Sequence, residues 1–183
     1  DLEILVDWCV RTGQRIIQLL PVNDTAYDAP PYCSASAFAL NPVYLSLFDI
    51  PGIDPAEVRA IRRDFDGLDR IVYWRLKGEK MRLLWKAYMS AKDKQKSGNY
   101  MEFCRDNAYW LDTYAAFMVM KDKHEQKSCK TWTDAPAGTA EQIARLVDRH
   151  PDEIGFYRFL QWHLDRQWRR VHDYAAGRGV LLK

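Results

Sequence analysis

The sequence predicts an α/β chain: a fragment of a (β/α)8 barrel with a large, mostly helical insertion, the chain itself being predominantly α. Three observations predict this. A short β-branched run, residues 15–20, follows directly on an amphipathic helix and ends at Pro21. A second apolar run, residues 180–183, follows the longest helical pattern in the chain. Between the two runs the sequence reads mostly as helix. A complete barrel of this type needs about 250 residues, and this chain has 183.

The elements follow in order. Residues 1–12 place Leu2, Leu5, Val6 and Cys9 at helical spacing, with Trp8 beside them. Gly13 is the natural stop, since glycine tolerates the left-handed conformation. Residues 15–20 lack strict alternation, as expected of a strand covered on both faces. Pro21 ends it, because proline cannot donate to a ladder. The loop of residues 22–41 then lies at the C-terminal end of that strand, the end where parallel α/β folds place their ligands.

Leu45–Phe48 reads as a short strand or turn. Pro55 opens a helix over 56–63, as proline favours the first turn. Residues 71–90 form a helix on which Arg75, Lys77, Lys80, Arg82 and Lys86 mark the wet side. The basic stretch 92–96 reads as a solvated loop. Residues 100–123 read as one further helix. Residues 134–138 form a loop, and Thr139 caps a helix to His150 with Gln142 completing a capping box. Residues 152–176 carry the stripe Tyr157, Leu160, Leu164, Trp168, Val171 and Ala175, stopped by Gly177 and Gly179. The resulting division is 1–43, barrel segment; 44–150, helical insertion; 151–183, barrel helix and start of the next strand. Two strands so far apart are not expected to build a sheet with each other. A first residue, Asp1, already inside a helix, and a last strand without a partner are expected to mark a piece of a larger enzyme.

Composition narrows the function classes. The chain is 48% hydrophobic, enough for one ordinary core. Its 27 basic and 25 acidic residues give a net charge of +2, which, without a basic stripe, disfavours nucleic acid as a partner. No apolar run approaches the roughly 18 residues of a membrane-spanning helix, so no membrane partner is expected. Cys9, Cys33, Cys104 and Cys129 form no C-x-x-C pair. Reduced thiols and a cytoplasmic location are expected. Aromatic residues make up 13% of the chain; rings serve the core and also stack on the apolar faces of sugars.

Candidate chemistry concentrates in the loop. Asp24 and Asp28 read either as the acid and base of a glycosidase or as turn formers that bond their own backbone. Tyr27 and Tyr32 read either as sugar-contacting rings or as packing of the loop onto a barrel rim. His163 and His172, on opposite faces of one helix, and His124 with Cys129 match no metal-ligand spacing, so no metal is expected. Ser34, Ser36 and Cys33 lack the local partners of a nucleophile. No P-loop or G-x-G-x-x-G occurs, and no cofactor is expected.

The stretch "QLLPVNDTAYDAPPYCSASAFALNPVYLSL" resembles the amylomaltases, the 4-α-glucanotransferases of glycoside hydrolase family 77. So, in the family's order, do "VYWRLKGEKMRLLWKAY", "FCRDNAYWLDTYAAFMVMKDKH", "TWTDAP" and "FYRFLQWHLDRQWRRVHDYAAGRGVLLK". The resemblance covers essentially the whole chain; its first and last segments are the specific ones. It implies a TIM barrel with helical insertions, acting on α-1,4-glucans and maltooligosaccharides. It implies retaining transfer through a glycosyl-enzyme intermediate, with water excluded in favour of a sugar acceptor.

The family's catalytic carboxylates lie on later strands, in motifs expected after Lys183, so no catalytic residue is assigned in this chain. Tyr32, in Pro31-Tyr32, falls on the family's substrate-binding tyrosine. Tyr27 falls on a tyrosine of an accessory glucan contact. Pro30 stands where many members carry a serine, and Asn23-Asp24 departs from the glycine-containing turn of the common bacterial form. Oligomeric state is left open. The alternative reading is a non-catalytic helical carbohydrate-binding or interaction module.

Overall fold

The structure is a computed structural model that describes residues 1–28, 30–92, 98–132 and 138–183. The solvated loop expected at 92–96 lies outside the described residues apart from Lys92, and the loop expected at 134–138 apart from Gly138.

Helix α1 (Leu2–Thr12) ends as its glycine demands. Gly13 adopts φ 76°, its N–H donates to Val10 O at 3.2 Å, and Gln14 N–H donates to Cys9 O at 2.8 Å. Strand β1 (Ile16–Ile17) is shorter than the expected 15–20. It pairs in parallel with β2 (Leu181–Leu182), in register Ile16 to Leu181 and Ile17 to Leu182. The ladder is closed by Leu181 N–H to Arg15 O at 2.8 Å, Lys183 N–H to Ile17 O at 2.9 Å and Leu19 N–H to Lys183 O at 2.7 Å.

This corrects the expectation that the two runs could not pair and that the last lacked a partner. Loop-closure cost grows only logarithmically with separation, and the intervening helices fold back to bring the runs together. Coverage is one-sided, not two-sided as expected. Ile17 packs with Val6, Cys9, Ala175 and Val180, while Ile16 is 60% and Leu181 64% exposed.

Past the loop, Pro42–Tyr44 and Leu47–Asp49 are single 3-10 turns, so of the strand or turn expected at Leu45–Phe48 it is the turn that forms. Asp54 caps α2 (Pro55–Phe65), accepting from Ala56 N–H at 2.7 Å. Helix α3 (Tyr73–Ala91) follows. Its supposed wet side is wrong at Lys77, which is buried. The expected single helix 100–123 is two, α4 (Gly98–Asp106) and α5 (Ala108–Lys123). The break falls at Asn107, whose side chain donates to Phe103 O at 2.9 Å and accepts from Trp110 Nε1 at 3.0 Å. Such side-chain bonds compete with the helical ladder.

Thr139 caps α6 (Ala140–Arg149), accepting from Gln142 N–H at 3.4 Å. The reciprocal half of the capping box does not form, and Gln142 Oε1 is buried without a partner among the described residues. Helix α7 (Pro151–Ala176) is the spine. Its N-terminal half meets α3 and α5 in the main core through Ile154, Tyr157, Leu160 and Leu164. Ala175, near its C-terminus, joins the smaller cluster under β1. Gly155 lets α7 approach α3 closely: a Cβ there would lie 2.2 Å from Tyr88 Oη.

Candidate functional site

The loop leaving β1 is long but tied. An isolated antiparallel bridge joins Asn23 to Leu40. Asp24 N–H donates to Ala39 O at 2.8 Å, Asn41 N–H to Val22 O at 3.0 Å and Ala35 N–H to Asp24 O at 2.7 Å. Ser36 Oγ accepts from Phe38 N–H and Ala39 N–H, each at 3.1 Å, so this serine closes the loop. Helix α7 holds the returning strand with glutamine amides used as surrogate backbone. Gln161 accepts from Leu40 N–H and donates to Leu40 O, both at 2.9 Å. Gln167 does the same for Ser46 at 2.8 and 3.0 Å.

Under the loop sits Asp24, fully buried. Its Oδ1 accepts from Ala26 N–H at 3.0 Å and from Lys77 Nζ at 2.8 Å. Its Oδ2 accepts from the Tyr114 hydroxyl at 2.6 Å. Lys77 Nζ also donates to Ala26 O and lies 5.3 Å from the centre of the Tyr27 ring. Ala26 adopts a left-handed φ of 52°, uncommon for a residue with a Cβ, and both its amide and its carbonyl are held from below. Burial, and after it the Asp24 charge, pushes the Tyr114 hydroxyl far above its ordinary pKa. Tyr114 is therefore a fixed donor.

The two aspartates do not form an acid–base pair. Asp24 is committed to three donors and to the Lys77 charge, and its bond to Ala26 N–H is the turn-forming bond of the simpler reading. Asp28 is exposed in the adjoining turn, where its N–H donates to Thr25 O at 2.9 Å and its carbonyl accepts from Thr25 Oγ1 at 2.7 Å.

The tyrosines fare differently. Tyr32 is 74% exposed. Tyr27 is 38% exposed and lines a cleft whose other walls include Pro31, Tyr44, Tyr73 and Trp74. Desolvation, then Asp122 and Asp24, raises the Tyr27 pKa; desolvation, then Tyr73, raises that of Tyr44. Both rings keep their protons and present hydroxyl donors. The cleft thus combines apolar ring faces with hydroxyls, the surface that a neutral polyhydroxylated ligand needs.

Sequence reasoning missed Tyr44, Tyr73, Trp74 and Lys77. The signal for Tyr73 and Trp74 was adjacent bulky aromatics in the first turn of a helix, where one face of that turn remains open. For Lys77 the partner lies 53 positions away, and no local pattern announces it. Among the described residues no group of three His, Cys, Asp or Glu side chains is placed to hold a metal ion.

Comparison with known proteins adds the following. The family model Glyco_hydro_77, described as 4-alpha-glucanotransferase, matches residues 1–183. The chain is 35% identical over 196 residues to the 4-alpha-glucanotransferase DPE2 of Oryza sativa subsp. japonica, covering 100% of this chain and 21% of that protein. It is 34% identical over 189 residues to a 4-alpha-glucanotransferase of Chlamydia pneumoniae, covering 100% of this chain and 36% of that one. The fold matches that of an amylomaltase from Streptococcus agalactiae solved in complex with acarbose. The TM-score is 0.76 at 21% identity, over 99% of this chain and 37% of that structure. The chain therefore spans only about a fifth to a third of the length of these relatives.

Proposed function

The chain belongs to the 4-alpha-glucanotransferase family, and from that premise we propose that it is part of an enzyme transferring α-1,4-glucan segments to acceptor sugars. The observation that carries the proposal is the loop at the end of β1. It stands on a buried, charge-balanced base, yet it leaves Tyr32 in water and places Tyr27 on an aromatic-lined cleft. Tyr32 and Tyr27 are the substrate-binding residues of the proposal, with α-1,4-glucans and maltooligosaccharides as ligands. The parallel pair β1–β2, each strand attended by a helix, supports reading the chain as two neighbouring staves of a (β/α)8 barrel, with residues 44–150 inserted between them.

The chemistry of the proposal is retaining transfer. One carboxylate attacks the anomeric carbon while a second protonates the leaving oxygen; the second then takes the proton of the acceptor hydroxyl, whose oxygen attacks the anomeric carbon and releases the first carboxylate. Both carboxylates lie outside this chain. The part of Tyr32 and Tyr27 is to bind and orient the glucan by ring stacking and tyrosine hydroxyls, while the backbone of their loop holds that geometry as the acceptor replaces water. The location of the proposal is cytoplasmic. The test is maltotriose disproportionation by the full gene product, followed as glucose release. Glucose with matching longer oligosaccharides is expected; absence of turnover refutes the proposal.

A further inference from the structure

The ligand loop has a second flank. Asn23, Tyr27, Asp28 and Pro31 contribute to the cleft described above, whereas Phe38 and Leu40 contribute to another, lined also by Phe103, Asn107, Tyr109 and Asp165. Phe38 stacks on Trp110 with ring centres 6.0 Å apart and 21° between planes, and meets Tyr109 edge to face at 5.5 Å. Yet Phe38 remains 56% and Tyr109 71% exposed. Two adjoining aromatic surfaces thus stand in water, held in place by one another.

The polar groups beside them are also fixed. Asn107 is bonded at both ends of its amide, and Asp165 Oδ2 is held by Arg169 Nε at 2.8 Å. No lysine or arginine is among the lining residues, so an anionic ligand finds no counter-charge there. Flat apolar rings flanked by an amide and a carboxylate suit the hydroxyls and the CH face of a neutral sugar.

We propose that the cleft between Phe38 and Tyr109 is a second saccharide subsite, which engages glucan chains too long to be held by the Tyr27 cleft alone. This rests on the glucan-transfer reading above. Both clefts hang on one loop, so a chain bound in one is tethered near the other, and a short oligosaccharide engages only the first. Length preference is the signature.

The experiment compares maltotriose and maltoheptaose as substrates of the full gene product carrying Phe38→Ala, Tyr109→Ala or Tyr109→Trp. The alanine variants are expected to raise KM for maltoheptaose by roughly five- to tenfold, the size of one lost aromatic platform. KM for maltotriose and kcat for both are expected to stay within about twofold of wild type, and Tyr109→Trp to restore the maltoheptaose value. Circular dichroism melts check that the exposed Tyr109 position leaves the fold intact. Equal effects on both substrates, or none on either, overturn the subsite while the glucan-transfer reading stands. No maltotriose turnover by the wild-type protein overturns both.

Discussion

Lys77→Met tests the base of the loop directly. The substitution keeps the length and apolar stem of the side chain and deletes the ammonium. Asp24 is fully buried and keeps its bonds from Ala26 N–H and Tyr114, but its charge is left without a counter-ion. Removing one partner of a buried pair costs about 3–5 kcal/mol, because the remaining charge cannot be resolvated. Lys77 also gives up its bond to Ala26 O, so the upper half of that range is expected. Against a typical total stability of about 5–15 kcal/mol, this is a large loss.

The pair is separable by a double-mutant cycle. Asp24→Asn removes the charge but retains an oxygen acceptor for Ala26 N–H. With Asp24→Asn already present, Lys77→Met is expected to cost at least about 2 kcal/mol less than in the parent chain. Urea unfolding at pH 7, followed by circular dichroism, measures each corner, and limited proteolysis within residues 22–41 reports whether the loop is released. Two additive substitutions, each costing under about 1 kcal/mol, would refute the view that this ion pair anchors the loop.

Three further outcomes are expected. Tyr32→Ala in the full gene product weakens glucan handling by about 1–3 kcal/mol in kcat/KM with folding intact; unchanged kinetics would remove Tyr32 from the site. Burial, with Arg166 as the lesser cause, pushes His163 down to about 4, against about 6.5 in an unfolded chain. The folded form stays neutral while the unfolded form takes up a proton, so the contribution is complete above pH ~6.5 and is lost as pH falls toward 4; about 2 kcal/mol disappears between pH 7.5 and 5. His163→Phe, between the rings of Phe159 and Trp162, should flatten that part of the urea-stability profile, and an unaltered slope would exclude His163 as its source. Gly155→Ala drives a methyl group to 2.2 Å from Tyr88 Oη and should cost about 1–3 kcal/mol. In a Tyr88→Phe background the nearest ring atom is the one at 3.2 Å, and thermal melts should show most of that penalty gone.

The parts legible in the sequence were those specified by neighbours in the chain. Gly13 announced the end of α1, Pro55 the start of α2, and Gly177 and Gly179 the end of α7, because such signals act within one turn. Loop 22–41 was legible as the loop leaving a strand's C-terminal end because Pro21 closes an apolar run. What failed was whatever depends on distant partners. Lys77 looked solvated among its basic neighbours, and Asp24 and the Ala26 carbonyl, brought to it by the fold, make its burial tolerable. Asn107 reads as an ordinary helical residue until its amide bonds Phe103 and Trp110. β1 and β2 acquire their ladder from each other across nearly the whole chain. Tyr73 and Trp74 were visible as residues, but their membership in the cleft depends on where Pro42–Tyr44 lies.

The same dependence explains why so long a loop is anchored by helices remote from it in sequence. A loop of this length has many backbone groups to satisfy and few neighbours in its own strand pair to satisfy them. Here α3 supplies Lys77, α5 supplies Tyr114 and α7 supplies Gln161. Each reaches the loop through a buried polar contact, and each of those contacts fails if its helix shifts, since an orphaned buried group costs more than the bond contributes. The helical segment and loop 22–41 are therefore energetically one unit. Loosening α3 or α5 far from Tyr32 should disorder the ring's support before it disturbs the ring itself. That arrangement suits a binding surface whose rings must stay exposed and yet be fixed beforehand, because ordering them only on contact with a glucan would subtract from affinity.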